Sequence, residues 1–158
     1  MDGKYQSGLD DCFTELQVIK CWIDLHKLDT NVRFLVAYAV IKSCGTIETI
    51  LKQMLYDQLI AGGANDEAKK HFTNHILDAS FNPSCGQIIR LLCSINPQKN
   101  AEFDELTKGT QEKGDLNSLV ELRNSFAHGN AINSSIEMII RYHNSGAWIL
   151  YQLASVLF

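Results

Sequence analysis

"SSIEMIIRYHNSGAWILYQLASVLF", residues 134–158, carries the pattern that decides the fold. Ile136, Ile139, Ile140, His143, Ala147, Leu150, Ala154 and Leu157 recur at three- and four-residue intervals, which puts their side chains on one face of an α-helix. Met138, Ile149, Leu153 and Val156 cover a second face. A helix apolar on two sides is either central in its domain or meets a second chain. Ser134 with Glu137 three residues on predicts a capping box at its start. The apolar run is too short to span a bilayer, and Glu137 and Arg141 lie just upstream of it.

Outward from this segment the same periodicity predicts helices at 9–28, 30–61, 66–79, 84–95, 100–108 and 115–128, with the last running from 135 to the C-terminus. They are separated by "AGGAN" (61–65), "KGTQEKGD" (108–115) and "HGNAIN" (128–133), and by Pro83 and Pro97, each preceded by Asn. No segment alternates with the period of a strand. The reading is one all-α domain over residues 1–158, an up-and-down helical bundle with long second and last helices and short helices between them. The second helix aligns Phe34, Ala37, Tyr38, Ile41, Cys44, Leu51, Leu55 and Leu59, and Glu48 falls on that same face. A carboxylate in an apolar stripe is costly to bury without a partner, which calls for a cation on a facing helix, with Arg123 one candidate.

Bulk properties narrow the function. The 158 residues are 46% hydrophobic and carry a formal charge of -4. Without a broad basic surface, duplex coating is excluded, because such binding draws its affinity from phosphate neutralisation. Nucleic acid as a partner requires positive charge gathered locally or where two chains meet. The opening "MDGKYQSGLDDCF" lacks the apolar run of a secretory signal, so a soluble, cytoplasmic protein with no membrane partner is expected. Cys12, Cys21, Cys44, Cys85 and Cys93 are odd in number and form no CxxC pair, which fits reduced, buried thiols.

Several residues are chemically suggestive yet read as structural. His71 and His75, four apart, have the spacing of a metal pair, but no HExxH glutamate or third ligand accompanies them, so neither a metal nor another cofactor is expected. His143 lies on an apolar stripe and reads as a hydrogen-bonded interior histidine. His26 reads as a cap for the first helix. "AGGAN" lacks the Lys-Ser/Thr of a phosphate loop. Trp22, Trp148 and Tyr151 fit a core better than a base-stacking surface.

The chemistry concentrates in "GDLNSLVELRNSFAHGN", residues 114–130. It predicts a helix capped by Asp115, buried through Leu116, Leu119, Val120, Leu122, Phe126 and Ala127, and ended by a left-handed Gly129. Arg123, Asn124 and His128 stand along it. A guanidinium forks onto phosphate oxygens and suits the charge of a pentacovalent phosphorus transition state. An imidazole titrates near neutrality and moves protons to or from ribose and leaving oxygens. Asn124 adds a neutral donor and acceptor that can orient the imidazole or hold a phosphate. RNA brings its own nucleophile, the 2′-hydroxyl, so this chemistry needs no metal. Five residues of α-helix rotate a side chain by roughly 140° net. Arg123 and His128 therefore converge only if the helix unwinds, or if the pair faces its copy across a dimer axis.

"LVELRNSFAHG" resembles the signature of the HEPN superfamily, in which an Arg followed by a polar residue precedes a His by four to six residues; Arg123, Asn124 and His128 match with four between. Within the superfamily the chain is most similar to stand-alone RiboL-PSP-HEPN domains. The resemblance implies a metal-independent endoribonuclease that leaves a 2′,3′-cyclic phosphate, acting as a homodimer whose motifs meet at the interface. Such members serve as toxins, some held by an antitoxin or regulatory protein, or as effectors of antiphage defence. Arg123 would then stabilise the phosphate, His128 act as acid and base, and Asn124 assist; Glu48 enters as support on physical grounds alone. The subgroup neutralised by a nucleotidyltransferase carries Tyr two residues after the His, where this chain has Asn130. Inactive members supply the alternative: a non-catalytic helical module that binds a protein or nucleotide, with Arg123 holding an anion. An antitoxin or immunity subunit is a third reading.

Overall fold

The computed structural model describes residues 2–77 and 81–158, apart from the side chains of residues 68, 71, 75 and 77. The His71–His75 pair thus lies outside the described side chains. The helices are α1 (Gly3–Leu25), α2 (Val32–Ala61), α3 (Asp66–Phe72, continued by a π-turn over Thr73–Leu77), α4 (Cys85–Ile95), α5 (Pro97–Thr107), α6 (Gln111–Ala127) and α7 (Ile136–Leu157). No strand occurs among the described residues. The fold is the all-α bundle that the periodicity indicates.

α7 is the central helix. It packs against α1, α2, α5 and α6, and Ile139, Ile149, Leu150 and Leu153 are fully buried. Its second apolar face is therefore covered by this chain itself, except at Met138, which is exposed. Each fully buried Leu or Ile here stabilises the fold by roughly 1.5–3 kcal/mol. α2 crosses α7 closely at Gly146, where an added Cβ would overlap Ile47 Cδ1. By length and composition α2 is apolar enough to cross a membrane, yet its Val40, Cys44, Ile47, Leu51 and Met54 are buried core.

The core face of α2 differs from the expected stripe. Ala37, Cys44, Leu51 and Leu55 are buried as read, but Phe34, Tyr38 and Ile41 are exposed, and Val36, Val40 and Ile47 take their place inside. α2 is apolar nearly all round, so periodicity alone does not select which face turns inward. Tyr38 instead donates to Glu15 of α1, and Lys42 pairs with the same carboxylate at 2.8 Å.

The two caps predicted for the last two helices are both corrected. α6 begins four residues earlier than expected, with Thr110 as its cap accepting from the Lys113 N–H at 3.3 Å. Asp115 lies inside the helix and is buried, where it accepts from Ser145 Oγ at 2.9 Å and from Arg141 at 3.2 Å on α7. A carboxylate facing two donors on the neighbouring helix is better satisfied there than at a helix end. At α7 the cap is Ser135, whose hydroxyl accepts from the Met138 N–H; Ser134 Oγ is buried without a hydrogen bond. The cap slips by one residue because adjacent serines offer the same chemistry, and with Met138 at the third helical position the predicted capping box is not formed.

The histidines and cysteines divide by position. His143 is buried, with Nε2 3.3 Å from the Leu9 carbonyl and Nδ1 3.8 Å from Cys12 Sγ. His26 ends α1 with its Nδ1 2.8 Å from the Trp22 carbonyl and its ring stacked on Trp22. Cys12, Cys44 and Cys85 are buried free thiols, whereas Cys21 and Cys93 are exposed, contrary to the expectation of five buried ones. Trp22 and Trp148 pack against the core, and Tyr151 is exposed.

Candidate functional site

α6 carries the site and its termination sets the geometry. The helix runs unbroken to Ala127 and His128 caps it. Gly129 follows with φ +84°, its N–H donating to Phe126 O at 2.9 Å, while the Asn130 N–H reaches back to Ser125 O at 3.1 Å. This pair of bonds is a Schellman closure, and it needs a residue that tolerates the left-handed region. His128 is thereby held at the rim of the bundle, with an exposed ring.

Arg123 sits one and a half turns earlier and points elsewhere. Its Nη1 donates to Asn124 Oδ1 at 3.0 Å and its Nη2 to Glu48 Oε2 at 3.4 Å. The expected pairing of Glu48 with Arg123 is present, across the α2–α6 contact. The helix does not unwind, and no hydrogen bond or ion pair joins the His128 ring to Arg123, Asn124 or Glu48 among the described residues. The chain thus gathers Arg123, Asn124 and Glu48 and leaves His128 apart.

Glu48 has more partners than the sequence suggested. Its Oε1 accepts from the Phe81 backbone N–H at 3.0 Å and from Lys52 Nζ at 2.7 Å, one turn along α2. The three charged side chains are sheltered: Glu48 is 15% exposed, Lys52 12% and Arg123 27%. Below them, burial pushes the Cys44 thiol up to about 11, although the Arg123 charge works the other way. Beside the site, Asn117 Oδ1 accepts from the Cys85 N–H at 3.1 Å and fixes the start of α4 against α6.

Sequence reasoning missed Lys52. The signal was available: a Lys four residues after a Glu on one helix is the spacing of an ion pair. The position passed without comment because α2 offered so many apolar neighbours. The chemical capacity of the cluster is anion binding. Asn124 and Glu48 fix one side of the guanidinium, so the rest of its planar fork is held in place for an oxygen ligand.

Comparison with known proteins places the chain in a family. No curated protein and no solved structure matches the chain. The RiboL-PSP-HEPN family model does match, over residues 14–154, a span that contains α2, α6 and both ends of the Glu48–Arg123 bridge. A match across most of the chain, on an all-α bundle with the Arg–polar–His motif closing one helix, identifies the protein as a member of the RiboL-PSP-HEPN family.

Proposed function

We propose that the protein is a metal-independent endoribonuclease. Arg123 stabilises the phosphorane charge, His128 moves the protons of 2′-hydroxyl attack and leaving-group departure, and Asn124 positions the guanidinium. The products are a 2′,3′-cyclic phosphate and a free 5′-hydroxyl. The carrying observation is Arg123 held within hydrogen-bond reach of Glu48 and Asn124, while His128 stays exposed on the same helix.

The divergence of Arg123 and His128 supports a two-chain site. Because α6 remains helical through Ala127, the active form is a homodimer in which Arg123 of one copy and His128 of the other meet one scissile linkage. Dimerisation also concentrates positive charge that a chain of net charge -4 lacks overall. In the cell this activity fits a cytoplasmic toxin or an antiphage effector, kept in check by an antitoxin or regulatory protein.

The test is incubation of purified protein with bulk RNA in EDTA, comparing wild type with His128→Ala. The expected result is fragmentation by the wild type into pieces ending in 2′,3′-cyclic phosphate, and intact RNA with the variant. If folded wild type leaves RNA intact with or without metal, the non-catalytic binding module replaces this reading.

A further inference from the structure

We infer that the outer face of α2 is the surface through which two copies of this chain pair, antiparallel about an axis beside Ile41. The inference rests on the two-chain reading of the ribonuclease and names the contact that assembles it. Phe34, Tyr38, Ile41, Gly45 and Thr49 recur at three- and four-residue intervals and are all exposed, so they form one stripe on the solvent side of the helix. The stripe has two unlike halves. Phe34 and Tyr38 stand out from the first half, 57% and 44% exposed. The second half is hollow: a recess of about 490 Å³ is lined by Gly8 and Asp11 of α1 and by Ile41, Gly45 and Thr49 of α2. A Cβ at Gly45 would meet nothing of this chain, so that space is open to an outside group.

The projecting rings and the recess are spaced for each other. Tyr38 and Gly45 share a midpoint beside Ile41, and so do Phe34 and Thr49. At about 1.5 Å of rise per residue, the rings stand about 5 and 11 Å from that midpoint, and the floor of the recess stands as far on the other side. A two-fold axis there sets each copy's rings into the other's recess, the self-complementary contact that a closed dimer requires. The charges at the rim agree. Arg33 lies over the Phe34 ring, 4.6 Å from its centroid, and enters with it, while Asp11 lines the recess. Neither joins an ion pair within the chain among the described residues. An apolar centre with a charge-matched rim is the anatomy of a specific interface.

The same axis completes the site. α1 runs antiparallel to α2, with Glu15 on Lys42 and Gly8 beside Ile50, and antiparallel to α7, with Lys20 on Glu137 and Leu9 on His143. α6 turns back into α7 through a short loop, with Asp115 meeting Ser145. α6 is therefore antiparallel to α2. Its His128 end lies toward the Phe34 half of α2, whereas Arg123 is tied to Glu48 in the other half. Exchanging the halves about the axis carries His128 of the second copy toward Arg123 of the first.

Sedimentation equilibrium of the full chain measures the pairing, and RNA fragmentation in EDTA measures its consequence. Gly45→Leu fills the recess without touching its own chain and removes a helical glycine, so it is expected to fold at least as stably as wild type. Its dimer dissociation constant is expected to rise about tenfold or more, because the filled recess rejects Tyr38. Ile41→Asp sets two carboxylates at the axis and is expected to raise the constant about a hundredfold. Arg33→Glu or Asp11→Lys alone is expected to weaken the dimer, and the two together to recover it. Cleavage by Gly45→Leu should fall with the dimer and return at higher protein concentration. A dimer as tight in Gly45→Leu and Ile41→Asp as in wild type overturns the inference and leaves the two-chain ribonuclease to another surface. A charge-swapped double variant no tighter than its singles removes the antiparallel register, and the inference with it. A wild type that is monomeric at every soluble concentration also overturns it; cleavage by that monomer would keep the ribonuclease, and inactivity would remove both.

Discussion

Arg123 Nη2 stands 3.4 Å from Glu48 Oε2, and this contact joins the last third of α6 to the middle of α2. The carboxylate also receives the Phe81 N–H, so one side chain links α2, α6 and the segment leading into α4. Glu48→Gln keeps an oxygen for Phe81 but removes the charge. Its predicted cost is at least about 1 kcal/mol, toward the low end for a broken pair because Arg123 remains partly solvated. Urea denaturation measures it; an unchanged midpoint would show the bridge to be incidental.

Substitution at Arg123 separates charge from shape. Arg123→Lys keeps a cation but loses the fork that meets Asn124 and, in the proposed reaction, phosphate oxygens at once. Cleavage is expected to fall by about 10²-fold or more, the scale of losing one preorganised donor to developing charge, with little change in melting temperature. Equal rates for Arg and Lys would mean that only net charge matters.

Asp115 yields a comparison of two roles. As an interhelical anchor it receives Ser145 and Arg141 from α7 and is buried. Asp115→Ala leaves those donors unmatched and is expected to cost about 2 kcal/mol, below the range for fully buried pairs because Arg141 is half exposed. Thr110→Ala removes only the cap and is expected to cost about 1 kcal/mol. Chemical denaturation of the two variants side by side would refute the assignment if their order reversed.

Buried His143 makes stability depend on pH. Burial lowers its pKa, outweighing the opposing effect of its contact with the Leu9 carbonyl. In the unfolded chain the imidazole titrates near about 6.5. The unfolded state therefore binds more protons just below that value, and stability falls as pH drops through it. Denaturation midpoints at a series of pH values from neutral to mildly acidic should show this decline. His143→Gln should flatten it, whatever its effect at neutral pH.

Gly146 tests the packing between α2 and α7. An alanine there improves helix propensity by about 1 kcal/mol, but its methyl would overlap Ile47. Gly146→Ala is expected to be destabilising by about 1–2 kcal/mol net, since overpacking of a filled core outweighs propensity. Pairing it with Ile47→Val should recover part of the loss in a double-mutant cycle.

The bundle was legible in the sequence because helical spacing is a property of each segment alone. Ile139, Leu150 and Leu157 mark the core of α7 without reference to anything else. Which face of α2 turns inward was not legible, since Phe34, Tyr38 and Ile41 are as apolar as Val36, Val40 and Ile47. That choice is made by the packing of α1 and α7. The same logic separates the two capping residues from their neighbours: Ser134 and Ser135 are chemically identical, and Asp115 suits either a cap or a buried anchor. At the site, Glu48 was readable because a carboxylate among apolar residues demands a partner. Gly129 was readable because a glycine after a helix has one common use. Lys52 escaped because a lysine on a helix ordinarily needs no explanation, whereas its pairing with Glu48 gives it one.

The central claim is that Arg123 from one copy and His128 from another complete a single site, and mixing inactive variants tests it most directly. Arg123→Ala and His128→Ala proteins, each silent alone on RNA in EDTA, are combined and allowed to exchange subunits. Activity is predicted to return in the mixture, because a mixed dimer holds one interface with both groups intact. A mixture that stays as inactive as its components, with exchange verified by mass spectrometry of intact dimers, would contradict the account.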